Sequence, residues 1–310
     1  MSNHLVAAFY KFITIEDVEK LHQILLERAS FFALQGVLLV AGEGINGTLS
    51  GAHERLRSFL SELRQDERFS KLDIKFSECS DPPFHRLRVR KKKEIVTLGV
   101  EGIDPREKVG TYIDSADWND LIEREDVVLV DTRNDYEVVL GTFKGAINPK
   151  TESFRDFPRW VSEHLDAKKH RKVAMFCTGG IRCEKASSFL LEQGFEEVFH
   201  LKGGILKYLN EISEDESSWE GECFLFDRRV GVTYGVKEGT AELCFACSFP
   251  ILECDRQSEH YREGVCCTRC YDRWTPEQMA GFEQRHLQMQ LAKKREGKHL
   301  GQRISKKSSK

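Results

Sequence analysis

The stretch "KVAMFCTGGIRCEKASSFLLEQGF", residues 172–195, determines the architecture of the central part of the chain. It begins with a β-rich apolar run, turns at a pair of glycines and continues with the pattern of a helix. Similar apolar runs lie at residues 126–133 and 197–205. Apolar strands that alternate with helices are typical of a parallel sheet buried on both faces. We therefore predict an α/β domain with a parallel sheet and helices on both of its faces.

The loop after this strand is the predicted active site, because open α/β sheets place their sites at the carboxyl ends of the strands. Its amides and the following helix N-terminus favour an anion at the sulfur of Cys177, and Arg182 adds positive charge. A thiolate nucleophile or persulfide carrier is thus predicted, with a Cys177–Cys183 disulfide and an inert buried Cys177 as alternatives. The residues of this loop besides Cys177 and Arg182 are Thr178, Gly179, Gly180, Ile181 and Cys183.

The number of residues between Cys177 and Arg182 bears on the chemistry of the loop. Four residues, "TGGI", separate them, whereas cysteine phosphatases have five residues between the cysteine and the arginine. The smaller ring suits a sulfur atom carried on Cys177 better than a phosphate.

The first part of the chain predicts a second kind of fold. Strand-like and helix-like runs follow one another in the order β-α-β-β-α-β, which is the ferredoxin-like arrangement. Thr14 is the predicted N-cap of the first helix, and Asn46–Gly47 supplies positive φ in a tight connection between two strands. The "GEGING" segment, residues 42–47, lacks the Lys-Ser/Thr ending of a phosphate loop, so none is predicted there.

Length and composition indicate several domains in one chain. With 310 residues, 40% of them hydrophobic and 31% charged, the protein is too long for one ordinary core. We see no apolar run long enough for a membrane span and no signal peptide, and we expect a cytoplasmic protein with reduced cysteines. The predicted parts are a ferredoxin-like domain (1–95), a connector (96–118), an α/β catalytic domain (119–215), a Cys-rich zinc-binding region (216–285) and a flexible basic tail (286–310).

Ten cysteines are present, and four of them form two Cys-x2-Cys pairs. Two such pairs can surround Zn²⁺ tetrahedrally with thiolates, and the metal would supply folding energy to a segment poor in apolar residues. Reduced thiols without metal and an iron–sulfur cluster are the alternatives, and Cys254, Cys266 and His260 lie close enough in sequence to leave the ligand set open. The predicted ligands are Cys244, Cys247, Cys267 and Cys270.

Basic residues cluster in "HRLRVRKKK", residues 85–93, although the whole chain has a net charge of −3. Alternation of basic and apolar residues is typical of a strand with one charged face, which can contact RNA phosphates or protect a sheet edge from pairing. Phe84 and Trp274 are predicted stacking partners for bases. The predicted RNA-binding residues are Arg86, Arg88, Arg90, Lys91, Lys92 and Lys93.

These motifs resemble those of a known family. "VVLVDTRNDYEVVLGTFKGAINP", "CTGGIR" and "HLKGGI" are similar to the rhodanese domain's first motif, catalytic loop and last strand. The resemblance puts Cys177 in the persulfide-forming position. The chain departs from the rhodanese pattern at Thr142–Phe143, in place of His-Ile, and at Cys183, in place of Ser. Cys183 leaves open a thiol relay or self-resolution of an oxidised Cys177. The residues that carry the first motif are Asp131, Arg133, Glu137, Gly141, Gly145, Ala146 and Asn148.

The order of these segments over residues 5 to 275 resembles the bacterial tRNA uridine hydroxylases, a rhodanese-related family. The resemblance implies oxygen-dependent 5-hydroxylation of wobble uridine 34, with the anticodon region of tRNA as partner and molecular oxygen as co-substrate. A sulfurtransferase acting on a small-molecule or protein thiol is the alternative function. We find no flavin, haem or nucleotide motif, and the sequence predicts neither the electron donor nor the oligomeric state.

Overall fold

A computed structural model describes residues 4–294 of the chain, which divides into two compact units between Thr240 and Ala241. The first unit opens with a ferredoxin-like domain whose strand and helix order follows the prediction. A fifth strand, β5, extends the sheet and contains the basic segment. The elements are β1 (His4–Phe12), α1 (Val18–Phe31), β2 (Gln35–Ala41), β3 (Gly44–Gly51), α2 (His53–Leu63), β4 (Ile74–Cys79) and β5 (Leu87–Lys91).

The sheet of this domain has one face covered by its helices and the other turned towards the rest of the unit. Its strand order is β4-β1-β3-β2-β5, antiparallel except for the parallel pair β2–β5. Leu38 and Val40 of β2 pack in the core with the apolar side chains of α1 and α2. Because side chains alternate along a strand, Val37 and Leu39 point to the opposite face, where they line a cleft.

Two local predictions for this domain are wrong. Helix α1 begins at Val18 with Asp17 in the N-cap position, whereas the Thr14 hydroxyl accepts a hydrogen bond from Arg106. In the β2–β3 hairpin the positive φ belongs to Gly44, since Asn46 and Gly47 lie within strand β3. In both cases the predicted role belongs to another residue two or three positions away in the same segment. The N-cap is Asp17, and the positive φ is that of Gly44.

The second domain is the predicted α/β fold, with a parallel sheet of order β6-β10-β9-β7. One face packs against α5 and α6 through Val173 and Met175, and the other packs against α3 and α7 through Ala174 and Phe176. The elements are β6 (Thr111–Ile113), α3 (Ser115–Ile122), β7 (Val127–Asp131), α4 (Asp135–Val138), β8 (Gly141–Phe143), α5 (Phe157–His164), β9 (Lys172–Phe176), α6 (Ile181–Glu192), β10 (Glu197–Leu201) and α7 (Gly204–Glu211).

Residues 216–240, which the sequence places in the Cys-rich region, belong to the first unit. Strand β11 (Trp219–Gly221) pairs with β8, and Trp219 is buried against Phe143 at 5.1 Å between ring centroids. A short hairpin of β12 (Cys223–Phe224) and β13 (Gly231–Val232) follows. This segment therefore completes the core of the α/β domain on the side of α3 and α7.

The second unit contains the cysteine pairs and a long helix. Its elements are β14 (Glu242–Leu243), β15 (Pro250–Ile251), α8 (Glu253–Arg256) and α9 (Pro276–Lys294). Residues 286–294, predicted as the start of a flexible tail, continue α9, because no glycine or proline interrupts them. The remainder of the predicted tail lies outside the described residues. Within residues 4–294, no helix combines the length and apolar character needed to cross a membrane.

Candidate functional site

Cys177 lies directly after strand β9, at the start of the loop that leads into helix α6. Its side chain is buried, and the Gly180 amide donates to its sulfur at 3.1 Å. Gly180 has a φ of 100°, which a residue with a side chain rarely adopts. A Cβ at this position would also lie 2.9 Å from the hydroxyl oxygen of Tyr10. Both the curl of the loop and its close approach to β1 thus require glycine here.

The environment of Cys177 favours a thiolate. Burial alone raises the pKa of the thiol, but the Cys183 thiol donates to its sulfur, Arg182 lies nearby, and two backbone amides of the loop donate to it. Together these interactions lower the pKa of Cys177 to about 5. Burial and the neighbouring Cys177 sulfur raise the pKa of the Cys183 thiol, so that it stays protonated as a donor. Both thiols are free rather than joined in a disulfide.

A buried ion pair holds Arg182. Its guanidinium donates to both carboxylate oxygens of Glu137 at 2.6 and 2.7 Å, and both side chains are almost completely buried. Burial raises the pKa of Glu137, but the charge and hydrogen bonds of Arg182 reverse this effect and lower it. Arg182 therefore keeps a fixed position beside the Cys177 loop, with a distance of 3.5 Å to the Thr178 hydroxyl oxygen.

A second buried pair, Asp131–Arg133, supports the same region from β7, with 2.6 Å between its charged atoms. Arg133 also donates to the Gly141 carbonyl at 2.6 Å. Thr142, which departs from the rhodanese pattern, donates its hydroxyl to Asp131 at 2.9 Å. The fold therefore accommodates threonine at this position, because the Thr142 hydroxyl gives the buried Asp131 carboxylate a hydrogen-bond donor.

The ferredoxin-like domain contributes two side chains to this site. Tyr10 of β1 donates to the carboxylate of Glu184 at 2.9 Å, and Glu184 follows directly after Cys183 on helix α6. Lys75 of β4 donates to the Gly179 carbonyl at 3.2 Å. The two domains thus meet at the Cys177 loop.

A cleft with a volume of about 890 Å³ separates the open face of the five-stranded sheet from the Cys177 loop. This volume falls in the range of small-molecule sites, about 300–1,000 Å³. Its walls are mostly apolar, and cationic side chains stand among them. These cations are Lys75, Arg182, Lys202, Lys207 and Arg229.

The strand register decides where the predicted RNA-binding residues lie. Arg88 is paired with Val37 and Arg90 with Leu39, so both arginines share the sheet face that forms the cleft. Lys91 lies on the other face and pairs with Glu19 of α1. The other predicted residues are the exposed side chains Arg86, Lys92 and Lys93.

The predicted stacking residues lie in different settings. Phe84 is half-buried and lines the cleft. Trp274 packs in the second unit against Phe282, with 5.3 Å between ring centroids, beside the cysteine cluster.

The four predicted metal ligands come together in the second unit. The sulfur atoms of Cys244, Cys247, Cys267 and Cys270 all lie within 4.8 Å of one another. Three of the sulfur–sulfur distances are 3.6, 3.8 and 3.8 Å. Tetrahedral Zn²⁺ with bonds of about 2.3 Å would need sulfur atoms about 3.8 Å apart. These four thiols therefore fit a tetrahedral metal ion.

The other ligand candidates of this region have different contacts. Cys254 is exposed, His260 stacks on Tyr271 with 3.8 Å between ring centroids, and the Cys266 thiol donates to a backbone carbonyl. The spacing of the cysteines in the sequence left the set of metal ligands open. The structure brings together four of the candidates, Cys244, Cys247, Cys267 and Cys270.

Sequence reasoning missed the residues that reach the loop from outside its own domain. Lys75 is more than one hundred residues away from Gly179 in the chain, and the two meet through the packing of two domains. Tyr10 and Glu184 are 174 residues apart in the chain. No local motif signals such pairs.

Comparisons with known proteins agree with this architecture. Residues 4–95 match the family model of the UPF0176 acylphosphatase-like domain, and residues 114–211 match that of the rhodanese-like domain.

Two solved structures are each similar to about a third of the chain. A rhodanese-like domain from Anabaena is 20% identical, with a TM-score of 0.30 over 36% of this chain and 80% of its own. A rhodanese-related protein from Thermoplasma volcanium is 24% identical, with a TM-score of 0.25 over 33% of this chain and 92% of its own.

One curated relative matches almost the whole length. The protein named tRNA uridine(34) hydroxylase from Teredinibacter turnerae is 53% identical over 303 residues, which are 98% of this chain and 94% of the relative. The two domain models, their order and the full-length identity lead to one assignment. The chain belongs to the family of the tRNA uridine(34) hydroxylases.

Proposed function

We propose that this protein hydroxylates C5 of uridine 34 in tRNA and that the Cys177 thiolate is essential for the reaction. The observation that carries the proposal is the position of Cys177, in the wall of a cleft formed by two domains. Residues of the ferredoxin-like domain form the wall opposite the Cys177 loop, which gives a base a concave site.

The same cleft supports RNA as the partner. A base can leave an anticodon loop without breaking a duplex, and apolar walls with a few polar groups suit a flipped-out base. Arg88 and Arg90 extend the cleft face of the sheet towards its edge, where they would contact phosphates. The exposed side chains Arg86, Lys92 and Lys93 would continue this surface, whereas Lys91 is held on the opposite face by Glu19.

Within the loop, each neighbour of Cys177 has a role in this proposal. The Gly180 amide and the Cys183 thiol donate to the sulfur, and Arg182 supplies a fixed positive charge. Thr178, Gly179 and Ile181 complete the ring around the reactive atom and line the cleft. Such preorganised donors stabilise an anion without reorganisation during the reaction.

We further propose that Zn²⁺ is the metal held by Cys244, Cys247, Cys267 and Cys270, with a structural role. Four thiolate ligands leave no open position for a substrate, which is the property of structural zinc sites. Molecular oxygen is the proposed co-substrate and the anticodon region of tRNA the proposed contact. Because tRNA is the proposed substrate, we propose that the protein acts in the cytoplasm.

The test uses cells that lack their own wobble-uridine hydroxylases. They are complemented with the wild-type protein, with Cys177→Ser, or with Cys254→Ser, which changes an exposed cysteine outside the four-sulfur cluster. Nucleoside mass spectrometry of their tRNA should find 5-hydroxyuridine with the wild type and Cys254→Ser and none with Cys177→Ser. If no variant restores it while the purified protein converts thiosulfate and cyanide to thiocyanate, the protein is a sulfurtransferase instead.

A further inference from the structure

Lys75 is a cation that the family motifs do not include, and it lines the same cleft as Cys177. Its side chain is 17% exposed, although it carries an ammonium group. It donates to the Gly179 carbonyl at 3.2 Å and lies 3.6 Å from Asp73, whose side chain is 81% exposed. Its Nζ atom also stands 5.5 Å from the centre of the Tyr10 ring.

Burial of an ammonium group is costly unless the group is paired and hydrogen-bonded, because burial disfavours its charge. Burial lowers the pKa of Lys75, and the charges of Asp73 and Cys177 act in the opposite direction. The register places Lys75 in one row with Ala8 and Thr48 on the cleft face of the sheet. Lys75 and Cys177 both line the cleft, one from each domain. A base seated there would lie between a thiolate and a cation.

Uracil has a specific response to this pair of charges. Its C5–C6 double bond is conjugated with the C4 carbonyl, so a nucleophile can add at C6 and the electron pair moves to O4. The carbon C5 then becomes nucleophilic, and C5 is the atom that the proposed hydroxylation must functionalise. A cation at O4 favours this addition by stabilising the negative charge that develops there.

We propose that the Cys177 thiolate adds to C6 of the target uracil and that the Lys75 ammonium group stabilises the resulting enolate at O4. This inference rests on the proposed function, since it names the residues that would activate the base. The sulfur–C6 bond forms while the C5–C6 π bond breaks, and the negative charge passes from sulfur to O4. A solvent proton adds at C5, and loss of either C5 hydrogen followed by expulsion of the sulfur returns uracil and thiolate.

Other cations of the cleft are less suited to this role. Lys202 and Lys207 both pair with Asp114, and Arg229 pairs with Asp227. Arg182 is engaged in two hydrogen bonds with Glu137. Lys75 holds a backbone carbonyl and one exposed carboxylate at 3.6 Å, both of which a stronger acceptor such as an enolate oxygen can replace.

The test measures exchange at C5 in the absence of oxygen, so that hydroxylation cannot contribute. The full-length protein is incubated anaerobically with an anticodon stem-loop RNA that carries tritium at C5 of the wobble uridine. The proposal predicts release of tritium into water by the wild type and none by Cys177→Ser. Lys75→Met should slow the release by about 10²-fold or more, as loss of one oxyanion donor does, and Lys75→Arg should restore part of it.

Two controls separate this role from a structural one. Lys71→Met removes an exposed lysine four residues away that does not line the cleft, and it should release tritium at the wild-type rate. The Lys75→Met protein should keep its RNA affinity and the thiolate absorbance of Cys177.

Two results would overturn the inference. One is a wild-type protein that hydroxylates tRNA in air yet releases no tritium without oxygen, which would leave the proposed function intact. The other is a Lys75→Met protein that exchanges C5 hydrogen at the wild-type rate.

Discussion

At the scale of single residues, the properties of the site depend on how a thiolate and an ion pair are kept away from water. The sequence allowed the anion-stabilising loop to be predicted, because glycines, a following helix and Arg182 are adjacent in the chain. It did not indicate that Glu137 accepts two hydrogen bonds from the guanidinium, or that Cys183 donates to Cys177. These contacts depend on side-chain directions that only the folded core fixes.

The ionisation of Cys177 is the first prediction. Thiolate ultraviolet absorbance, measured as the difference between wild type and Cys177→Ser, should appear with a midpoint near pH 5. The substitution Cys183→Ala removes one hydrogen-bond donor to the Cys177 sulfur. It should raise this midpoint, since the thiolate is then less stabilised. A wild-type midpoint near the ordinary thiol pKa of about 8.5 would contradict the described environment.

The same shift predicts how stability depends on pH. Folding lowers the pKa of the Cys177 thiol. The unfolded chain therefore binds more protons than the folded chain between pH 5 and the ordinary pKa of a thiol. The contribution of the thiolate to the free energy of unfolding is therefore complete above the unfolded pKa and is lost as pH falls towards 5. Urea unfolding of wild type and Cys177→Ser should show a difference that shrinks in this direction, and a constant difference would refute it.

The buried pair Glu137–Arg182 gives the next prediction. Glu137→Gln leaves a buried guanidinium without its counter-charge, which should lower the free energy of unfolding by about 3–5 kcal/mol. Urea denaturation measures this loss. The double change Glu137→Gln with Arg182→Met removes the stranded charge and should recover part of the stability, whereas equal losses in both proteins would argue against an ionic cause.

At the scale of elements, strand β5 shows what alternation can and cannot predict. The sequence indicated a basic strand with arginines on one face, and the register places Arg88 and Arg90 together on the cleft face. The sequence could not indicate that this face of the sheet lies opposite the Cys177 loop, because the packing of two domains decides that. Lys91 looked equivalent in sequence, but alternation directs it to Glu19 on the opposite side.

Strand β5 therefore offers a matched pair of variants for RNA binding. Replacing Arg88 and Arg90 by alanine should weaken tRNA binding and reduce the slope of log affinity against log salt by about 0.7–0.9 for each phosphate that is no longer neutralised. Lys91→Ala should change the slope much less. Filter binding or fluorescence anisotropy at several salt concentrations measures both, and equal slopes in all three proteins would exclude this strand from the RNA surface.

The cysteine pairs of the second unit predict one tightly bound metal ion per chain. Inductively coupled plasma mass spectrometry should find zinc in the wild type and much less of it in Cys270→Ser, with the residues after 240 becoming sensitive to protease. Cys266→Ser, which changes a neighbouring cysteine outside the four-sulfur group, should retain the metal. Full zinc content in Cys270→Ser would show that the assigned ligands are wrong.

At the scale of the whole molecule, both domain folds of the first unit could be predicted from the order of apolar runs and their lengths. The β-α-β-β-α-β order and the parallel sheet follow from local patterns, and the family models match the same segments. The cleft could not be predicted, because its walls come from β1, β4, the Cys177 loop and the segment around Phe226. The candidate site thus depends on how the two domains pack, which no single sequence motif predicts.

The proposed hydroxylation can be tested by following oxygen into tRNA. Cells without their own wobble-uridine hydroxylases, complemented with this protein, are grown under isotopically heavy oxygen gas, and fragments of their tRNA are analysed by mass spectrometry. We predict a heavy oxygen atom on C5 of uridine 34 with the wild type and an unmodified uridine with Cys177→Ser. A hydroxyl group that appears equally in both, that lies at another position, or that carries oxygen from water would contradict the proposed function.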